Sequence, residues 1–371
     1  MNRVQTAVGF AMPRSQTIRY PNAAPQRMTV IRADRAGGPD VLITDTVPIP
    51  EPGPRELLVE IWAAGVNRPD VLQREGRYPP PAGSTDVFGL EVMGRVVGVG
   101  SRTQRFRMGD QVMALLVGGG YAEYVSVPEC QCLPVPKALT GIEAAALPET
   151  LFTVWFNLIQ RAHLQSGEWI LIHGGGGAIG TMAVTLSAVM GCHVVTTTGN
   201  ASKAIRLRSI GAHEAIVYAQ EAFWTVLQHE SAVHGGFDVI LDMVGGSYFQ
   251  KNLELLAPDG RLVQIAFRQG SSLQVDLAPF LYKRLSFMGS TLRAQKPVAK
   301  ARIARSIERH VFPWIEAGRL CPVMDSVFPL DEAWRAHARI DDPEHFGKVM
   351  LVTKVGEDHG FHPVLLATHG S

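Results

Sequence analysis

Four consecutive glycines, Gly174 to Gly177, stand between an apolar run, Trp169-Ile170-Leu171-Ile172, and a mostly apolar segment that starts at Ala178. The run is long enough for a buried parallel strand, and the segment after it reads as a helix through Met190. Glycine between strand and helix turns the backbone tightly and lets it approach a ligand with no Cβ in the way. The free N–H groups and positive end of such a helix suit an anion. Two registers of a dinucleotide fingerprint fit these residues, Gly175-x-Gly177-x-x-Gly180 and Gly174-x-x-Gly177-x-x-Gly180. A plain glycine-rich turn in a fold without a nucleotide fits them too, so the loop alone does not decide.

The following strand narrows the ligand. His193 to Thr198 is β-branched and ends at Gly199-Asn200. Sites that bind a free ribose 2′-hydroxyl place Asp or Glu about 20 residues beyond the fingerprint. Here Gly199-Asn200 occupies that place, and the next acid is Glu214. A carboxylate would repel a 2′-phosphate; its absence leaves room for one, with Lys203, Arg206 and Arg208 just downstream. The pattern favours NADP over NAD. The alternative use of the three cations is a solvated helix face.

Elements at both ends must position this loop. From Met28 the chain is β-rich: Met28–Arg32 and Asp40–Val47 pair around Gly37-Gly38-Pro39, and Leu57–Ala63, Val92–Val99, Gln111–Leu116 and Tyr121–Val127 follow. Short strands with such turn signals suggest a compact barrel-like domain. Ile142–Leu147 and Leu151–His163 then read as helices with Pro148 breaking between them. Strand and helix alternate afterwards, through Ala201–Ile210, Glu214–Val217, Phe237–Met243, Tyr248–Leu256, Arg261–Ala266 and Ser286–Gly289, which is the signature of a doubly wound parallel sheet. A helix Val298–Glu316, a strand Val323–Phe328, an amphipathic Leu330–Ile340 and a strand Lys348–Val352 are expected to return to the β-rich part. Beyond Lys354 no periodicity is visible, and a loosely held tail is expected.

The chain has 371 residues, room for two domains, with 46% hydrophobic and 19% charged residues. A net charge of +1 gives no electrostatic footprint for nucleic acid, and no apolar run reaches the roughly 18 residues of a membrane span. Cys130, Cys132, Cys192 and Cys321 form no CxxC pair, which speaks for a reducing, cytoplasmic setting rather than a disulfide framework. Residues 1–27 hold Arg3, Arg14, Arg19 and Arg27 and no acid. They read as a poorly ordered extension; a transit-like leader or a start upstream of Met28 has the same look.

With the elements in this order, the chain resembles the medium-chain dehydrogenase/reductase superfamily. Within it the chain is similar to the zinc-free quinone oxidoreductases, the zeta-crystallin relatives, and most to the branch of the tumour-suppressor-inducible quinone oxidoreductase. The resemblance rests on AAGVNRPDVLQREGRYPPP (63–81), GLEVMGRVVGVG (89–100), GGGYAEYVSVP (118–128), ALPETLFTVW (146–155), HGGGGAIG (173–180), LDMVGG (241–246), LAPDGRLVQIAF (256–267) and GSTLR (289–293). It implies an α/β fold with a Rossmann-type doubly wound parallel sheet (146–291) and a GroES-like β-rich barrel domain (28–145 and 292–354), flanked by the extension (1–27) and a tail (355–371). Zinc-dependent relatives use a Cys and a Gly-His-Glu motif for catalytic metal. Asn67 and Leu90 stand at those positions and supply neither thiolate nor imidazole, so no metal is expected.

The same resemblance implies NADPH held by Gly174, Gly175, Gly177, Ala178, Ile179 and Gly180 at the pyrophosphate, with Ala178 where the family usually has glycine. It implies Gly199, Asn200 and Lys203 at the 2′-phosphate, with Tyr218 closing over it. Met243, Val244, Ile265, Ala266 and Phe267 line the ribose and nicotinamide, with Thr153 nearby. The loop Asn67 to Tyr78 faces the nicotinamide. Asn67 is placed to bind the ribose or the substrate oxygen, Tyr78 to donate to a quinone oxygen, and Asp70 to order the loop. Glu149, after Pro148, is expected to cap or form a salt bridge. The implied activity is metal-free hydride transfer from NADPH to quinones or similarly activated carbonyls. A 2-enoyl thioester reductase and a crystallin-like NADPH binder with little turnover are the alternatives. A homodimer joined edge to edge through Leu285–Thr291 is expected.

Overall fold

Residues 26–220 and 222–365 are described by a computed structural model, and their strands fall into two large sheets and one small one. The chain starts with an antiparallel pair, β1 (Arg27–Ala33) and β2 (Leu42–Pro48). Then come β3 (Glu56–Val66), α1 (Arg68–Arg74), β4 (Glu91–Val99), β5 (Gln111–Leu115), β6 (Tyr124–Pro128) and β7 (Cys132–Pro134). Two short helices, α2 (Gly141–Ala145) and α3 (Pro148–Val154), lead into β8 (Trp169–Ile172), α4 (Ala178–Val189), β9 (His193–Thr198), α5 (Ala201–Ser209) and β10 (Glu214–Val217). The alternation continues with α6 (Phe223–His234), β11 (Phe237–Asp242), α7 (Tyr248–Leu255), β12 (Leu256–Gln264), α8 (Ala278–Lys283) and β13 (Ser286–Gly289). The last elements are α9 (Pro297–His310), α10 (Phe312–Glu316), β14 (Met324–Pro329), α11 (Ala333–Asp341), β15 (Lys348–Val352), α12 (Lys354–Asp358) and β16 (Val364–Leu365).

The six-stranded sheet runs β10-β9-β8-β11-β12-β13 and is parallel throughout. The chain steps outward from β8 to β10 and then returns to the other side of β8 at β11. Strand order therefore reverses between β8 and β11, and the crevice at their carboxyl ends is where ligands of such sheets lie. Apolar runs suit this sheet because helices cover both faces: Ile170, Leu171 and Ile172 of β8 are all buried. The other large sheet runs β16-β14-β15-β3-β4-β5-β7, with β6 also on β3. Here β15 returns from the end of the chain to pair with β3, and β14 pairs with β15 on its far side. One hydrophobic cluster joins the two sheets, taking Trp62, Met93 and Met113 from one, Ile170 and Val194 from the other, and α2 and α3 between. Each fully buried Leu or Ile in it contributes about 1.5–3 kcal/mol.

Several local readings are corrected. Pro148 does not stand between two helices but opens α3 as its first residue, where a missing N–H costs nothing. The helix then widens into a π turn over Trp155–Arg161, with the Asn157 side chain bonded back to the Thr153 carbonyl at 2.9 Å. The long helix Val298–Glu316 is two, α9 and α10, parted at Val311 just ahead of Pro313. Helices α6 and α8 were not anticipated; α6 ends on Gly235 at φ +77. Arg27, assigned to the extension, already belongs to β1, while residues 1–25 lie outside the described residues. The tail is not loose from Lys354 to Leu365. α12 and β16 form there, His359 stacks on Trp62 at 4.0 Å, and Phe361 packs at Gly141. Residues 366–371 lie outside the described residues.

Candidate active site

The glycine loop sits at the carboxyl end of β8. Gly174 takes φ +76, a conformation L side chains rarely adopt. A Cβ on Gly175 would collide with Thr196 Oγ1, and one on Gly180 with the Gly174 carbonyl, so α4 lies directly on the turn. The N-cap residue of α4, Gly177, offers no side-chain cap, and Ala178, Ile179 and Gly180 present the first N–H groups of the helix. The opposite wall comes from the β-rich half: Gly347 N donates to Gly176 O at 3.0 Å. Beneath the loop His173 is buried and neutral, its pKa lowered first by burial. Asn252 Nδ2 donates to Asp242 Oδ2 at 3.1 Å, leaving Asn252 Oδ1 to accept from His173 Nε2 at 2.8 Å. His173 Nδ1 then accepts from Thr197 Oγ1 at 3.2 Å. Asp242 also takes the Val244 N–H at 2.6 Å and so fixes the turn after β11 that carries Met243 and Val244.

Past β9 lies the second part of the cradle. Asn200 caps α5, accepting from Lys203 N at 2.9 Å, and donates through Nδ2 to Glu344 Oε1 at 3.0 Å. A Cβ on Gly199 would stand 3.0 Å from the Tyr218 hydroxyl, so only glycine leaves this space open. The Lys203 ammonium is half-buried and, among the described residues, has no hydrogen bond or ion pair. Burial lowers its pKa, while Glu344 and Asp325 pull it back up. Among the described residues the Thr198 hydroxyl is buried with no partner, close to Gly176 and hence to the Lys203 stem. An unpaired ammonium beside an orphaned hydroxyl and a row of free amides fits a phosphate-bearing dinucleotide. Two expectations change. Arg208 is taken up by an ion pair with Glu214, and Arg206 lies 3.9 Å over the Phe346 ring. The pocket expected to be free of acid receives Glu344 from a distant loop.

Toward the acceptor, Ile265 continues from β12, and Gln264 Nε2 holds the Ala266 carbonyl at 2.6 Å. Phe267 is exposed, and Thr153 is half-buried on α3. Asn67 is no ordinary loop amide. Its Oδ1 accepts from Lys348 Nζ at 2.6 Å, its Nδ2 donates to Glu91 Oε1 at 2.9 Å, and Lys348 is ion-paired with Glu91. Both charged side chains are almost wholly buried, and they rest on bare backbone, because a Cβ on Gly65 would strike both. Asp70 closes the capping box of α1, accepting from Asn67 N at 2.9 Å and from Gly89 N at 3.0 Å. Burial pushes its pKa up to about 6 while those amides pull it down, so it is ionised at neutral pH. Behind it a chain of donors runs from Arg74 to His337 Nδ1, from His337 Nε2 to Tyr121, and from Tyr121 to Asp70 Oδ2. His337 stays neutral, burial lowering its pKa to about 3.

Asn67 and Asp70 thus share one buried network, and Gly347 next to Lys348 ties it to the glycine loop. Tyr78 stands apart, its hydroxyl 3.2 Å from Thr291 Oγ1. Glu149 neither caps nor bridges among the described residues. Its amide donates to Glu91 Oε2 at 2.8 Å, and its carboxyl is pushed up to about 7, first by burial and then by Glu91. Sequence reasoning passed over Lys348 and Glu91, although a lysine opening the buried strand Lys348–Val352 was a visible signal. It also passed over Arg293, Glu344, Tyr121 and His337. Among the described residues no three His, Cys, Asp or Glu gather where they could hold a metal, and no helix is long and apolar enough to cross a membrane.

Residues 53–137 match a family model described as alcohol dehydrogenase GroES-like domain, and residues 210–351 one described as zinc-binding dehydrogenase. The chain is similar to the quinone oxidoreductase of Lama guanicoe, 30% identical over 335 residues that make up 88% of this chain and 98% of that protein. Among solved structures it resembles the Escherichia coli quinone oxidoreductase complexed with NADPH, with TM-score 0.79, 26% identity and coverage of 87% and 99%. It also resembles the CurK enoyl reductase, with TM-score 0.78, 26% identity and coverage of 89% and 100%.

Proposed function

Because the chain belongs to the medium-chain dehydrogenase/reductase superfamily and, within it, to the quinone oxidoreductases, we propose that it is an NADPH-dependent reductase of quinones or similarly activated carbonyls. Bound NADPH supplies a hydride from the nicotinamide ring, and an electron-poor acceptor takes it without a Lewis acid. The chain's part is to hold and orient. Gly174 to Gly180 hold the pyrophosphate on the amides of α4, and Lys203 with Thr198, Gly199 and Tyr218 takes the 2′-phosphate. Met243, Val244, Ile265, Ala266 and Phe267 flank the ribose and ring, with Thr153 opposite. Asn67, kept in one orientation by Lys348 and Glu91, presents a fixed surface to the ribose or the acceptor. Asp70 is a positioning residue, since its oxygens are already committed to backbone amides and Tyr121.

The observation that carries the reading is the unpaired Lys203 ammonium beside the orphaned Thr198 hydroxyl; the NADPH bound in the Escherichia coli relative supports it. Stopped-flow oxidation of NADPH with a panel of acceptors, ortho-quinones included, is expected to show acceptor-dependent turnover and a preference of at least about tenfold over NADH. No acceptor-dependent oxidation would sink the proposal. The likeness to an enoyl reductase keeps one competitor in the panel, and enoyl-CoA turnover faster than quinone turnover would decide for it. The outer edge of β13 has no partner strand among the described residues, and Phe287 on it is exposed, so a homodimer pairing two copies of β13 is part of the proposal. Sedimentation at micromolar concentration is expected to give a dimer that Phe287→Lys dissociates.

A further inference from the structure

Arg293 leaves the parallel sheet just after β13 and crosses to the β-rich half. There its Nε donates to the Val117 carbonyl at 2.7 Å and its Nη2 to Gln73 Oε1 at 2.7 Å. The residue is only 6% exposed, and its remaining nitrogen, Nη1, is buried with no hydrogen-bond partner among the described residues. No carboxylate lies within ion-pair distance among the described residues. The acids whose charge it feels are Asp70, already saturated by donors, and Glu149, which titrates near neutrality. A second buried cation, Lys300, donates to the Arg293 carbonyl at 3.0 Å. The Tyr78 ring stands 5.5 Å from the guanidinium carbon, with the Tyr78 hydroxyl on Thr291, two residues before Arg293. A fixed guanidinium with unspent donors, backed by a second cation and flanked by a phenol, is unsatisfied until an oxygen ligand arrives.

We propose that Arg293 Nη1 seats the acceptor oxygen on which negative charge develops, a phenolate or enolate oxyanion. The identity of that oxyanion rests on the reductase reading. Hydride transfer moves two electrons and one hydrogen from the nicotinamide to the acceptor; the nicotinamide is oxidised, and the acceptor is left with an oxyanion that later takes a proton from solvent. The Val117 and Gln73 contacts aim the guanidinium before that charge appears, so its donors are already oriented when the oxygen arrives.

The test uses the full chain saturated with NADP and p-nitrophenol as the probe, because its absorbance reports ionisation directly. The unaltered chain is expected to bind the probe as phenolate and lower its apparent pKa by about one unit. Arg293→Met is expected to remove the shift and weaken binding at least about tenfold, with NADP affinity unchanged; Arg293→Lys should restore part of the shift. Acceptor-dependent kcat should fall about 100-fold or more in Arg293→Met. A structural strut would leave the probe's ionisation untouched. The proposal is overturned if the unaltered chain binds the probe without a shift, or if Arg293→Met retains it. A shift that depends on Arg293 in a chain that reduces no acceptor would support the anion seat and overturn the reductase reading alone.

Discussion

The two ends of the cleft solve opposite electrostatic problems. At the glycine-loop end polar groups are left unspent: the first amides of α4, the Thr198 hydroxyl and the Lys203 ammonium have no partner among the described residues. Around Asn67 nearly everything is already spent, with Lys348, Glu91, Asp70, Tyr121, His337 and Arg74 binding one another in a closed circuit. An anion that comes with the ligand can be met by groups that water satisfies in the meantime. Most of a buried surface that must keep one shape cannot wait, because unpaired charge there destabilises the fold; Arg293, with one nitrogen unspent, is the exception.

The contrast is most sharply broken by unpairing the closed circuit. Lys348→Met leaves Glu91 charged and buried, and denaturant unfolding is expected to show a loss of about 3–5 kcal/mol. Adding Glu91→Gln should recover more than half of it; no recovery would mean that the pair contributes only packing. At the open end Lys203→Met should leave stability within about 0.5 kcal/mol and weaken NADPH about 10- to 100-fold, with NADH hardly affected, read by fluorescence titration.

Glu149 lies between the two regimes. Its carboxyl is held near 7 in the folded chain against an ordinary value of 4.5, so the folded state binds its proton more tightly than the unfolded one. That stability is fully present below about 4.5 and is lost as pH rises through about 7. Glu149→Gln is therefore expected to stabilise the protein by about 1–2 kcal/mol at pH 8 and to change nothing at pH 4, read by unfolding at the two pH values. The smallest expected effect is at Glu344, which is exposed, accepts from Asn200, and faces the 2′-phosphate under the proposed reading. Glu344→Gln should tighten NADPH about three- to tenfold with no change in stability. An unchanged NADPH affinity would remove Glu344 from the pocket's electrostatics.

The same contrast explains what was readable from the residues alone. The glycine-loop end is built by one contiguous stretch, strand, glycines, helix and strand, in which spacing is geometry, so its turn and flanking elements were legible. The other end joins positions hundreds of residues apart, Asn67 to Lys348 and Gln73 to Arg293, and no local period records such contacts. The error at Glu344 has the same origin. The search for an acid followed β9 along the chain, and the acid came from the loop before β15. Pro148 misled for a different reason, since its effect depends on whether it falls inside a helix or at its first residue. The tail looked featureless because α12 and β16 owe their order to Trp62, Gly141 and β14 rather than to periodicity of their own.

The amide of Gly347 on the carbonyl of Gly176 is one of several stitches between the halves, with Asn200 to Glu344 and the Glu149 amide to Glu91 among the others, and it lies on the glycine loop itself. A cleft sewn at several points cannot swing about one of them: parting the halves at this end also breaks Asn200 from Glu344, and at the far end Tyr78 from Thr291.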